Sequence, residues 1–251
     1  MSLHAIPPEL GKSCAECPGP CPMKSVITEG ARHFSHGQHR AVTPGAELYS
    51  QGDPAGDFYV LLDGWMCLYV LLPDGRRQNI KVAVPGDLLA FDLERGWELD
   101  HSAVALTNSV LCPINRSSFG RHAHESPELL ESINHYLVRE QALMREHLTS
   151  LARRTATERI ANLFFELFVR TRRRAPIDGD RMIMPLTQEQ IGDATGLSAV
   201  HVCRMLSALR AEGVVYFEDR IFSVGNAQRL EELAGFEAGQ LLSNPRGTAA
   251  A

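Results

Sequence analysis

Cys14, Cys17 and Cys21 fall within eight positions near the start of the chain, in the run Ser13-Cys-Ala-Glu-Cys-Pro-Gly-Pro-Cys-Pro22. Thiolates are soft ligands, and three of them this close form most of a metal site. Structural zinc and most iron–sulfur clusters take four ligands, so a fourth must come from elsewhere. The chain has six cysteines in all. Cys67, Cys112 and Cys203 are the others, and spacing alone does not choose among them. Residues 1–24 show neither a helical nor a strand period, which predicts a loop unless a ligand organises it.

A second chemistry is written into residues 185–213. Thr187-Gln-Glu-Gln190 is a capping box that opens a short helix, Gln188 to Thr195. Gly196 breaks it. Leu197 and Ser198 then supply a staple residue and an N-cap for a second helix, Ala199 to about Glu212. Two short helices across a Gly-containing turn make a helix-turn-helix. Val214-Val-Tyr-Phe217 and Ile221-Phe-Ser-Val224 read as a following hairpin, which makes the motif winged. The second helix of such a motif enters the major groove, and its first turns meet base edges. Val200, His201, Cys203 and Arg204 stand there. Arg204 is the expected base reader, because a guanidinium bonds guanine O6 and N7 together. Gln188, Ser198 and Arg210 are placed to reach phosphates and set the register.

The elements that must position these residues follow from pattern and composition. Residues 40–120 carry short apolar runs rich in β-branched and aromatic residues, such as Phe58-Tyr-Val-Leu-Leu62, punctuated by glycines. Pro73-Asp-Gly75 is a hairpin turn signal. Short strands at this spacing predict a sandwich or small barrel. Ser126-Pro127 then opens a long helix that runs to about Leu151. Leu130, Leu137, Met144 and Leu151 recur every seven residues, with Leu148 between the last two. Such a stripe fits pairing with another helix or packing on its own domain, and spacing leaves both open. Thr155-Ala-Thr-Glu158 caps a further helix.

The chain has 251 residues, 44% hydrophobic and 22% charged, with a formal net charge of −5. That composition is ordinary for a globular protein, and no apolar run approaches the ~20 residues of a membrane helix. No signal peptide is apparent, so a cytoplasmic location is expected, where thiols stay reduced. Arginines crowd the second half, and a local basic face binds phosphate even in an acidic chain. No nucleophile–base pair, phosphate-cradling glycine loop or paired acids in a catalytic setting stand out, so an enzyme is not expected.

Strand-rich domain, long helix and winged motif, in that order, resemble the CRP/FNR superfamily of bacterial transcription regulators across residues 25–235. Its sharpest pieces are Pro44-Gly-Ala-Glu-Leu-Tyr-Ser-Gln-Gly52, Val84-Pro-Gly-Asp-Leu-Leu-Ala-Phe91 and Leu186-Thr-Gln-Glu-Gln-Ile-Gly-Asp-Ala-Thr-Gly-Leu-Ser198. The ending Leu233-Ala-Gly-Phe236 is similar to the FNR branch. The fold the resemblance implies is α+β. It has a β-barrel or jelly-roll sensor domain of the cyclic-nucleotide-binding type, a long dimerisation helix and a C-terminal winged helix-turn-helix. Expected divisions are a Cys-rich segment 1–24, the sensor domain 25–125, the helix 126–152, the DNA-binding domain 153–232 and a tail 233–251. The resemblance also implies a homodimer on a palindromic double-stranded operator, joined along Leu130, Leu137, Met144, Leu148 and Leu151, and acting on RNA polymerase.

What such a protein senses separates the branches. The cyclic-nucleotide branch carries an Arg-Ser or Arg-Thr pair whose Arg meets the cyclic phosphate. This chain has Asp100-His-Ser-Ala103 there, and Asp87 in place of a Glu, so cyclic AMP is disfavoured. The FNR branch holds a [4Fe-4S] cluster on three N-terminal cysteines and one in the barrel. Resemblance makes Cys112, in Val110-Leu-Cys112, the matching fourth ligand, while Cys67 reads as a small buried hydrophobe. Oxygen or redox sensing that controls dimerisation and operator binding is then the expected function. Three departures keep rivals open, one of them the Cys203 thiol that would stand near DNA. The triplet is spaced C-x2-C-x3-C rather than C-x2-C-x5-C, and zinc accepts the same thiolates. The recognition helix has Val200 and Cys203 where the family has Glu and Ser, which predicts a different operator. A cluster-free or zinc-binding regulator, redox control at Cys203 and a haem-based nitric-oxide sensor are the alternatives.

Overall fold

The computed structural model describes residues 38–91, 98–172 and 181–237. Cys14, Cys17 and Cys21 lie outside the described residues, as does the break expected at 176–179. Two compact units divide at Tyr136 and Leu137.

The first unit holds eight strands: β1 (Arg40–Val42), β2 (Glu47–Tyr49), β3 (Phe58–Asp63), β4 (Met66–Leu71), β5 (Arg77–Ala83), β6 (Leu88–Leu89), β7 (Ser102–Ala105) and β8 (Ser109–Ile114). They form two four-stranded antiparallel sheets, ordered β1-β8-β3-β6 and β2-β7-β4-β5. The expected barrel is therefore not closed; it is a jelly-roll-like pair of sheets. Alternation along β3 and β8 explains why both read as continuous apolar runs. Leu61 and Leu111 face the second sheet, among Met66, Leu68 and Ala103. Phe58, Val60, Leu62, Val110, Cys112 and Ile114 face the other way, into a second core.

Two helices cover that second core. α1 (Arg116–Glu125) contributes Phe119 and Ala123; the first turns of α2 (Pro127–Arg153) contribute Leu129, Ile133 and Tyr136. The phenol oxygen of Tyr136 accepts the Leu88 N–H at 3.1 Å. α1 is an addition to the expected elements, which ran strands up to the start of the long helix. Only Arg116, Ser118, Phe119 and Ala123 of its residues are buried, too few for an apolar period. Its cap was nevertheless written in the chain, since Asn115 accepts the Ser118 N–H at 2.9 Å.

The second unit begins with the rest of α2. It continues through α3 (Ala156–Arg172), β9 (Arg181–Ile183), α4 (Gln188–Thr195), α5 (Ala199–Ala211), β10 (Val215–Glu218), β11 (Ile221–Val224) and α6 (Ala227–Ala234). α3 is its spine: Ile160, Phe164 and Leu167 are fully buried. The Phe164 ring meets Phe222 of β11 edge-on at 5.2 Å, a favoured aromatic geometry. β9 adds a third strand to the expected hairpin, giving the order β10-β11-β9.

Candidate nucleic-acid interface

Local signals build the reading head. The Thr187 hydroxyl accepts the Gln190 N–H at 3.1 Å, and the Gln190 side chain returns to the Thr187 N–H at 2.9 Å. That reciprocal pair satisfies two of the orphan donors that open α4. Gly196 closes the helix at φ +68, a left-handed conformation that favours glycine. Gly192 has a different task. A Cβ there would overlap the carbonyl oxygen of Leu197, so only glycine lets the turn between the helices close. Ser198 then caps α5 by accepting the His201 N–H at 3.3 Å.

The two faces of α5 separate cleanly. Val202, Leu206 and Leu209 are buried. Val200, Cys203, Arg204 and Ser207 form an exposed row at i, i+3, i+4 and i+7, and His201 is half-buried beside it. Val200 is 69% exposed. Ser207 was missed by the sequence reading, though its spacing from Cys203 and Arg204 is the signal that finds it; its hydroxyl donates to the Cys203 carbonyl at 2.9 Å. Gln188 is exposed at the first position of α4. Arg210, expected at a phosphate, is exposed, and its guanidinium pairs with the exposed Glu218 of β10 at 2.5 Å. The turn from β10 to β11 places Asp219 and Arg220 at φ +51 and +63, the backbone that suits a tight hairpin.

A polar network seats the reading head on the end of α2. Arg159 donates to the Arg154 carbonyl at 3.0 Å and to the Thr195 carbonyl at 3.2 Å. One cation thus serves two helix C-termini, where carbonyls are orphaned and the dipole is negative. The Asn162 amide bridges Glu146 at 2.8 Å and the Ala234 carbonyl at 2.9 Å. Arg154 reaches Glu146 at 2.6 Å and the Gly235 carbonyl at 3.3 Å. Nearby, the buried Glu166 carboxylate meets His147 at 2.5 Å and Arg170 at 2.6 Å. Burial pushes its pKa up, but His147 and Arg170 outweigh that and bring it down to about 2.

Along α2 itself, Leu130, Leu137, Val138, Met144 and Leu148 are exposed, the last two at 69%. Val138 is an addition to the expected seam. Leu151 is half-buried, and its Cδ2 lies 3.7 Å from where a Cβ on Gly196 would stand. It therefore packs near the helix-turn-helix rather than standing clear.

Of the four thiols expected at a metal, the structure describes one. Cys112 is 6% exposed, opposite Val60, in the apolar core beneath α1 and the start of α2. β1 pairs with β8 so that Arg40 stands opposite Leu111. The first described strand therefore lies beside the strand that carries Cys112. Cys67 is buried on β4, in the other sheet, between Val82 and Val104. Among the described residues, no group of three or more His, Cys, Asp and Glu side chains is placed to hold a metal. At the expected nucleotide position, His101 Nδ1 meets Asp100 at 2.6 Å and Nε2 meets the Tyr49 hydroxyl at 2.8 Å. Asp87 is fully buried and accepts the Val84 N–H at 2.9 Å.

Comparison with known proteins places this geometry. Residues 39–125 match the cyclic nucleotide-binding domain, and residues 158–233 match the Crp-like helix-turn-helix domain. The nitrogen fixation regulation protein FixK of Bradyrhizobium diazoefficiens is 33% identical over 229 residues, which cover 89% of this chain and 94% of that protein. The chain belongs to the CRP/FNR family of transcription regulators. Another CRP/FNR relative, the transcriptional activator protein FnrL of Cereibacter sphaeroides, is 28% identical over 94% of this chain and 96% of its own. The solved structure of FixK2 from Bradyrhizobium japonicum superposes with a TM-score of 0.71 at 29% identity, covering 80% of this chain and 98% of that one. As a CRP/FNR regulator the chain is a DNA-binding protein and not an enzyme. Among the described residues, no helix is long and apolar enough to cross a membrane.

Proposed function

We propose that this regulator binds a palindromic operator in the cytoplasm as a homodimer, acts on RNA polymerase, and senses oxygen or redox state through a [4Fe-4S] cluster on Cys14, Cys17, Cys21 and Cys112. The observation that supports the sensing site is the β1–β8 pairing beside Cys112. The chain between Cys21 and Arg40 spans ~60 Å when extended, so the triplet reaches Cys112 with slack. Four thiolates are also the donor set that such clusters take.

The residues divide the work. Cys112 shares its core with Leu129, Ile133 and Tyr136, so whatever ties the N-terminal segment to it bears on the start of α2. The exposed row from Leu130 to Leu148 supplies the face on which two copies of α2 pair. Pairing sets two α5 helices one DNA turn apart, about 34–36 Å. Val200, Cys203, Arg204 and Ser207 then meet the bases, with Gln188 and Ser198 at phosphates. A bound cluster supplies a crosslink that oxygen can break. Cyclic AMP has no part in this reading: an anion brought to His101 meets the Asp100 carboxylate, and the buried Asp87 faces the Val84 N–H and the Lys81 ammonium.

Burial of Cys112 among apolar side chains favours a second reading, in which it is a core residue and the regulator is cluster-free or holds zinc. Anaerobic purification decides between them. Iron and sulfide in near-equal amounts, with a visible absorbance that air bleaches, support the cluster. Colourless protein with zinc or no metal, and DNA binding unchanged by Cys14→Ser and Cys112→Ser, overturns it.

A further inference from the structure

We propose that Val200 reads the C5-methyl group of a thymine in the major groove. This inference rests on the DNA-reading role of α5 and goes beyond it by assigning a base feature to one side chain. Val200 is the second residue of α5 and 69% exposed, while Val202, Leu206 and Leu209 already fill the interface of α5 with its own domain. The packing of the domain therefore does not use it. Its position in the first turn is the one that meets base edges. An isopropyl group has no donor or acceptor, and the one apolar feature a base pair shows in the major groove is the thymine methyl.

Neighbouring geometry limits where that thymine lies. Val200 and Arg204 are four residues apart on one face, so their Cβ atoms stand about 5–6 Å from each other. Successive bases on a strand rise about 3.4 Å. The thymine is thus expected one or two base pairs from the guanine that Arg204 reads.

The test starts from a palindromic duplex selected out of randomised DNA by the full-length protein. Each thymine is then replaced in turn by uracil, which lacks only the methyl. One position per half-site should weaken binding about four-fold, the transfer value of one buried methyl group. Changing both half-sites should weaken it about fifteen-fold. Val200→Ala should erase the sensitivity at that position alone, and Val200→Thr, which keeps a methyl, should retain part of it. A selected site in which no thymine is methyl-sensitive, or equal sensitivity in Val200→Ala, overturns the inference. Failure to select any duplex overturns the DNA-reading site itself, and this inference with it.

Discussion

Arg204 makes no ion pair among the described residues, in contrast to Arg210, which is already bound to Glu218. Both arginines are exposed on one helix, and Arg204 is the one proposed to read a base. Arg204→Ala is expected to weaken operator binding by about 1–3 kcal/mol per half-site, measured by titration at fixed salt. Arg204→Lys should not restore it, since an ammonium cannot bond O6 and N7 in a fork. A second single-residue effect lies inside the domain. The Glu166 carboxyl falls from 4.5 toward about 2 in the fold, so its ionised form stabilises the native state. That stabilisation is present above about 4.5 and is lost as pH falls toward 2. Glu166→Gln leaves His147 and Arg170 facing a neutral amide, at a cost of about 3–5 kcal/mol. The gap in melting temperature between the native protein and this variant should narrow as the pH is taken below 4.5; a constant gap would show that the carboxylate charge is not what stabilises the fold.

At the scale of elements, α6 acts as a latch whose keeper is on α2 and α3. Gly235 ends α6 at φ +72, and a Cβ there would stand 2.9 Å from Arg154 Nη2. Gly235→Ala should therefore destabilise the domain by about 1–2 kcal/mol in thermal unfolding. Arg154→Ala removes the obstacle, so the double variant should lose less than the sum of the two singles. The Leu233-Ala-Gly-Phe236 ending stood out in the chain, but its partner did not. Arg154 and Gly235 are 81 positions apart, and no local pattern announces such a pair. Legibility follows the same line throughout. Caps, breaks and alternation are local, so the helix-turn-helix and the apolar runs at 58–62 and 65–72, which mark β3 and β4, could be read directly. β9 is three residues with one buried side chain, and α1 lacks a period; tertiary pairing alone makes them visible. The opposite problem affects α2, where a seven-residue stripe was legible but not its destination. Exposure of Met144 and Leu148 beside a half-buried Leu151 resolves the stripe into a free stretch and a packed end. Changing Met144 and Leu148 together to Glu should change the unfolding free energy of the subunit by less than about 1 kcal/mol, as for exposed sites generally. Sedimentation should show a monomer, and binding to a palindrome should fall to the level of a single half-site.

For the whole molecule, the question is how a signal at the proposed N-terminal sensor would reach DNA in a chain of net charge −5. α2 runs unbroken from Pro127 to Arg153, beginning over the Cys112 core and ending at Arg154 and Arg159. The helix thus contributes its first turns to the unit of the proposed sensor and its last turn to the network that seats α4. The required leverage is small: a coupling of about 1–3 kcal/mol changes an association constant roughly 5–150-fold. The overall negative charge helps rather than hinders such a switch. A monomer of this charge is expected to bind phosphate only weakly, so in the proposed switch regulation of dimerisation would become regulation of occupancy. Anaerobic protein is therefore expected to dimerise within that range more tightly than air-exposed protein, read by sedimentation at matched concentrations. Cys112→Ser should abolish the difference while leaving the melting temperature of the DNA-binding unit unchanged. Met144→Glu with Leu148→Glu should abolish dimerisation in both conditions yet keep the air-sensitive absorbance. A variant that loses the absorbance but still dimerises more tightly without oxygen would place the sensor elsewhere in the chain.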